Sequence, residues 1–211
     1  MRLFYAPGAC SLSAHILLRE AGLPFQLEKV DLQAGEQHSE AFRRLNPAGL
    51  VPVLAAGDMV LTELPAISWV IAQQAPDRQL YPADVVGQAR VMEWLNWLSG
   101  TVHGWGFGGL WRPMRFVNEP ALHPAVQARG RDWIEQGFAR IDQRLAQGFA
   151  VGDALTVVDP YLLVMYRWGG RIGLPMRSRY PHWHRHALML LGRDSVQAAL
   201  AAEAISVDIA A

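Results

Sequence analysis

The 211 residues contain one cysteine, Cys10, and the residues around it decide whether it can do chemistry. Leu3-Phe4-Tyr5 reads as a short strand and Pro7-Gly8 as a turn. Ser11 or Ser13 is suited to cap a helix that continues through Ala14, Ile16, Leu17, Leu18 and Ala21. The sulfur therefore falls at a predicted helix N-terminus, where free N–H groups and the positive end of the dipole favour a thiolate. The position three residues on is Ser13, not a second cysteine, so a reactive Cys10 closes no local disulfide and needs an external thiol. The alternative is a small, buried, inert side chain, as many lone cysteines are.

Other residues with chemical potential lie far along the chain. Asn96 and His103 are seven residues apart, about two helical turns, which predicts a shared face. Gly104-Trp105-Gly106-Phe107-Gly108-Gly109 spells G-x-G-x-x-G, but a helical pattern precedes it and no strand, which excludes a dinucleotide site. It reads instead as a break in the long helix. Trp105, Phe107, Trp111 and Trp168 either line an apolar substrate pocket or belong to the core or a subunit contact. Of His182, His184 and His186 only the first and last share a helical face, and no third ligand is evident, so no metal site is expected.

The elements that must position these groups follow from hydrophobic period. After the first helix, Phe25 to Val30 alternates like a half-exposed strand. A short helix is predicted around Glu40 to Leu45, stopped by Asn46-Pro47. Val51-Pro52-Val53-Leu54 carries a proline that belongs at an edge or a special bend. Gly57-Asp58 turns into Val60-Leu61, and Thr62 is placed to cap a helix over Ala66, Ile67, Val70 and Ile71. The predicted order, β-α-β-α-β-β-α, makes a mixed-sheet α/β layer. Ala75 to Asp84 has linker composition, and beyond it strand patterns vanish. Helical spacing takes over in Val91 to Val102, Val126 to Leu145, Tyr161 to Tyr166, Trp183 to Leu191 and Ser195 to Ala204. Gly130 and Gly137 lie where a neighbouring helix can approach closely. Thr156 and Asp159 form a variant capping box.

Composition narrows the classes. Nineteen basic and nineteen acidic residues balance to zero formal charge, which gives no general attraction to nucleic acid or an anionic membrane. No apolar run is long enough to span a bilayer. The start, Met1 to Tyr5, reaches Pro7-Gly8 too soon for a signal-peptide core, and one cysteine excludes an internal disulfide framework. The expected setting is the cytoplasm.

Taken together, these motifs resemble the cytosolic glutathione transferases. Tyr5-x-Pro7-Gly8-x-Cys10-Ser11-x-Ser13 is similar to the bacterial beta class in particular. Asn46-Pro47-x-Gly49-x-Val51-Pro52-Val53-Leu54, Thr62-Glu63, Trp94-Leu95-Asn96, Leu155-Thr156-x-x-Asp159 and Val196-Gln197-x-Ala199-Leu200 extend the likeness over nearly the whole chain. The resemblance implies a thioredoxin-like glutathione-binding domain over 1–76, a linker over 77–84, and an all-α bundle over 85–211 that contributes the electrophile pocket. It implies a homodimer, glutathione as co-substrate with no other cofactor, and a small hydrophobic electrophile as second substrate. Catalytic roles fall on Tyr5, Cys10, Ser11 and His103, with Ser11 a possible donor to the glutathione sulfur. Pro52 resembles the family's cis-proline, which turns the N–H and C=O of Val51 toward glutathione. Glu63 resembles the carboxylate that meets the α-amino group, and the N–H of Leu64 meets the γ-glutamyl carboxylate without the hydroxyl of a serine. Asn96 and His103 match positions reaching glutathione from the second domain. Leu32 lies near the glycyl carboxylate. Gly35 and Gly104 stand where relatives carry lysine, and Arg112 and Arg115 are candidates to replace those charges. Two chemistries are implied: attack of a glutathione thiolate on an electrophile, or a Cys10–glutathione mixed disulfide. The rival is a non-catalytic protein of this fold that binds ligands or another protein.

Overall fold

A computed structural model describes residues 1–210. Strand and helix alternate first: β1 (Arg2–Tyr5), α1 (Ser11–Glu20), β2 (Gln26–Lys29), α2 (Glu40–Leu45), β3 (Val53–Ala56), β4 (Met59–Thr62) and α3 (Leu64–Gln73). The sheet order is β2-β1-β3-β4; β1 runs parallel to β2 and antiparallel to β3, which is antiparallel to β4. Alternation along β1 splits its side chains between two faces. Leu3 and Tyr5 enter the main core with α1, whereas Phe4 packs on a smaller cluster of Val30, Phe42 and Val53. Pro52 stands one residue before the interior strand β3, so its missing N–H takes nothing from the ladder, and the Val51–Pro52 bond is cis.

Two helix starts differ from expectation. Cys10 itself is the N-cap of α1, with helical dihedrals (φ −60°, ψ −22°) and no side-chain capping bond, while Ser11 and Ser13 lie buried in the first turn. At α3 the N-cap is Glu63, because Thr62 remains paired with Val53 as the last residue of β4. Glu63 has a φ of 66°, a left-handed conformation that costs a non-glycine residue about 1–3 kcal/mol.

The remainder is helical. The carboxylate of Asp84 accepts the Gly87 N–H at 2.8 Å and starts α4 (Val85–Trp97). The glycine-rich segment does not break this helix. It widens into a π-helical stretch over Leu98–Phe107 and continues as α5 (Gly108–Trp111). Its glycines serve close packing against α6 (His123–Arg144): a Cβ on Gly130 would lie 2.7 Å from Gly106 O and Leu110 N. Asp159 Oδ2 accepts the Thr156 N–H at 2.7 Å at the head of α7 (Asp159–Arg171), and its Oδ1 meets His186 Nε2 at 2.8 Å. α8 (Met176–Arg179), α9 (Pro181–Leu191) and α10 (Asp194–Ala202) follow. α7 is buried along nearly its whole length and packs on α1, which also touches α3 and α10. One apolar core therefore runs from the sheet into the helices, with the helix that begins at Cys10 as the joint.

Candidate active site

The head of α1 and the bend before β3 meet at the sulfur. Cys10 is 9% exposed, and its thiol donates to the Val51 carbonyl with Sγ 3.5 Å from the oxygen. Burial pushes the Cys10 thiol up to about 12; the N–H groups of Cys10 and Ser11 and the charge of Arg112 pull it back, and Glu63 pushes it further up. Desolvation thus outweighs the helix terminus. The resting group is a neutral thiol, which corrects the expectation of a thiolate favoured by position alone.

Ser11 is fully buried, and its hydroxyl both donates to the Ala6 carbonyl and accepts the Ala6 N–H, each at 3.2 Å. Its oxygen is engaged within the strand-to-helix turn. Tyr5 faces the main core, its ring 6.2 Å from that of His15. Burial, and after it the charge of Glu203, raises its phenol above the ordinary value.

His103 faces the site from the π-helical stretch. Its Nδ1 and the Tyr161 hydroxyl share a hydrogen bond of 2.9 Å, and its ring meets Trp168 edge-on at 4.8 Å. Burial, then the charges of Arg112 and Arg115, lowers its pKa to about 4, so the imidazole is neutral near neutral pH. Tyr161 is completely buried; desolvation first, then Cys10 and Glu63, holds its phenol well above the ordinary value.

Phe107, Trp111 and Trp168 form one aromatic wall beside His103, with centroid separations of 4.7, 5.0 and 5.3 Å; Phe107 and Trp168 belong to the buried core and only Trp111 is exposed. Trp105 does not join it. Its ring packs 6.0 Å from Trp133 and lines a separate apolar hollow of about 350 Å³ with Phe116, Val126 and Gly130. The reason is the pitch: i→i+5 bonding takes about one extra residue per turn, so faces assigned at 3.6 residues per turn drift apart. Asn96 is exposed and its amide donates to Met92 O at 2.9 Å, within its own helix. A larger hollow, about 570 Å³, lies against Met1, Pro24, Phe25 and Ala55–Gly57 at the opposite end of the strands from Cys10.

On the sheet side, Leu32 and Val51 both pack on the small cluster around Phe42 and Val53. Pro52 and Leu64 are buried, and Glu63 is exposed at the start of α3. Arg112 and Arg115 are exposed beyond Trp111.

Three partners were not found from sequence. Tyr161 is one. The second is the indole N–H of Trp168, which donates to the Gly8 carbonyl at 2.9 Å; the third is Glu203, which accepts the Gly8 N–H at 2.8 Å and meets His15 Nδ1 at 2.9 Å. These contacts join residues 160 and 195 positions apart, and no local pattern signals such pairs.

A mixed sheet that presents a thiol at the head of its first helix, beside a cis-proline bend and beneath a helical half, defines a thioredoxin-like, thiol-handling class. The family model described as glutathione S-transferase, N-terminal domain, matches residues 8–74. Glutathione S-transferase GstA of Escherichia coli O157:H7 is 34% identical over 209 residues, covering 97% of this chain and 100% of the relative. A sphingomonad glutathione S-transferase solved with glutathione is 36% identical with a TM-score of 0.84, covering 98% and 100% of the two chains. The bacterial beta-class enzyme of Sphingomonas chungbukensis is 34% identical with a TM-score of 0.85, over 98% and 100%. The chain belongs to the glutathione S-transferase family and is similar to its bacterial beta class.

Proposed function

We propose that this protein binds glutathione and transfers it to small apolar electrophiles, a detoxifying transferase reaction carried out in the cytoplasm. The observation that carries the proposal is the meeting of Cys10 with the Val51 carbonyl at 3.5 Å, next to His103–Tyr161 and an aromatic wall. A glutathione N–H that takes the Val51 carbonyl as a strand would releases the Cys10 S–H to donate to the glutathione sulfur. A donor there favours the glutathione thiolate, which attacks the electrophilic carbon as the leaving group departs with its electron pair. Glu63 takes the α-amino group and the Leu64 N–H the γ-glutamyl carboxylate. Leu32 lies toward the glycyl end, and Asn96 acts from the margin. Mixed-disulfide formation is the slower branch: the Cys10 thiolate attacks oxidised glutathione, the disulfide breaks, and a glutathione thiolate leaves.

Support for the cytoplasm is the lone free thiol, which suits a reducing compartment. Among the described residues, no helix is long and apolar enough to cross a membrane. We assign a homodimer to the face where β4, α3 and α4 adjoin, which exposes Val60, Trp69, Val85, Val86 and Met92.

The test is retention on immobilised glutathione, followed by conjugation of 1-chloro-2,4-dinitrobenzene. Elution by free glutathione and turnover above the uncatalysed rate are expected. A protein that neither binds the column nor conjugates would be the non-catalytic relation of this fold.

A further inference from the structure

One carboxylate from the far end of the chain holds both the turn that precedes Cys10 and the helix that follows it. Glu203 caps the C-terminus of α10, and its side chain has no solvent exposure. Its Oε2 accepts the Gly8 N–H at 2.8 Å, and its Oε1 meets His15 Nδ1 at 2.9 Å. Gly8 lies two residues before the sulfur, and His15 lies five after it, in α1. Arg19 Nε, which can only donate, bonds His15 Nε2 at 2.9 Å, so the ring proton is on Nδ1 and faces Glu203. Each carboxylate oxygen is thus satisfied by a different arm of the sulfur-bearing segment.

That segment does not fix the sulfur by itself. Cys10 caps α1 without a side-chain bond, and among the described residues its thiol has one hydrogen bond, to the Val51 carbonyl. Gly8 has a φ of 67°, a region that glycine enters as readily as its mirror image, so the residue does not select it. The direction in which the chain leaves the turn for Cys10 depends on what grips the Gly8 peptide: Glu203 on its N–H and the Trp168 indole on its C=O. A carboxylate removed from water is costly, and an apolar side chain would fill the same space at lower cost, so packing alone does not account for a glutamate here.

We propose that Glu203 is a positioning residue for Cys10: its carboxylate staples the turn before the sulfur to the helix after it, and so keeps the thiol against the Val51 carbonyl. The staple deepens the transferase reading and rests on it for its part in turnover. It is tested by alkylation of Cys10 with iodoacetamide near neutral pH, followed by mass spectrometry. The thiol gives its proton to water, the sulfur bonds the probe's carbon, and iodide leaves. Glu203→Gln has one acceptor oxygen where two are used, so one arm is released and water reaches the sulfur. The rate is expected to rise about tenfold or more, as a less desolvated thiolate implies. Gly130→Ala, which strains α6 and not this turn, controls for lost stability and should react within about twofold of the wild type. An unchanged rate in Glu203→Gln overturns the staple, and so does an equal rise in Gly130→Ala. If Glu203→Gln does not fold, His15→Phe keeps an aromatic ring against Tyr5 and Phe25 but cuts the α1 arm. The same rise is expected there, and no rise overturns the proposal. Conjugation gives a second readout in Glu203→Gln: kcat should fall about tenfold with the KM for glutathione within about twofold, since Glu203 bonds the turn and α1 and none of the residues proposed for glutathione. A rise in KM alone overturns a role through the sulfur. Faster alkylation of Glu203→Gln, with no turnover by the wild type, sinks the transferase reading and keeps the staple.

Discussion

At the scale of the residue, the sulfur is governed by burial. A thiol pushed up to about 12 is almost wholly protonated near neutral pH, and its thiolate fraction grows about tenfold per pH unit until the pKa is reached. Mixed-disulfide formation between Cys10 and oxidised glutathione, followed by mass spectrometry, is therefore expected to accelerate steadily from about pH 7 to about pH 10. An exposed cysteine titrating near its ordinary value would level off by about pH 9, and a plateau there would refute a buried thiol. His103 adds no inflection between about pH 5 and about pH 8, since its proton is lost near pH 4. The position of Cys10 was legible because strand, turn and helix signals are local. Its state was not, because burial depends on what Val51 and α7 bring from elsewhere in the chain. Ser11 shows the same limit: its type was legible, and the engagement of its hydroxyl by Ala6 was not.

At the scale of the element, the π-helical stretch has the largest effect on the site. It continues the helix where glycines suggested a break, directs His103 toward Tyr161, and leaves Trp105 in another hollow. Periodicity read at 3.6 residues per turn finds such a helix but misassigns its faces. The glycines on its partner were legible as points of close approach, and their cost can be measured. Gly130→Ala sets a Cβ 2.7 Å from backbone atoms that cannot rotate away, and should destabilise the protein by about 1–3 kcal/mol in urea denaturation. Gly100→Ala meets nothing within 4 Å and should be neutral or stabilising, by up to about 1 kcal/mol. Equal effects of the two would mean that α6 does not press against the π-helical stretch.

At the scale of the whole molecule, the order of elements along the chain and the all-helical remainder followed from hydrophobic period, which changes from two-residue alternation to helical spacing beyond α3. Pairings between the halves did not follow, because each joins single residues across long separations. The proposed homodimer predicts twice the 23.4 kDa chain mass by light scattering. Trp69→Glu, which puts a charge on a residue 50% exposed in the single chain, should shift that mass toward the monomer with the fold retained by circular dichroism. A wild-type monomer at all concentrations would remove the assignment.

The peptide unit of Gly8 has a consequence for how the protein comes into being. Its N–H is held by Glu203 and its C=O by Trp168, groups that are synthesised 195 and 160 residues later. On the ribosome the sulfur-bearing turn is among the first parts made and among the last to be fixed. A nascent chain that has finished its sheet holds the thiol loop only through Ala6 and Val51, and the Gly8 peptide is fixed from both sides only when translation has delivered the helices that close on it.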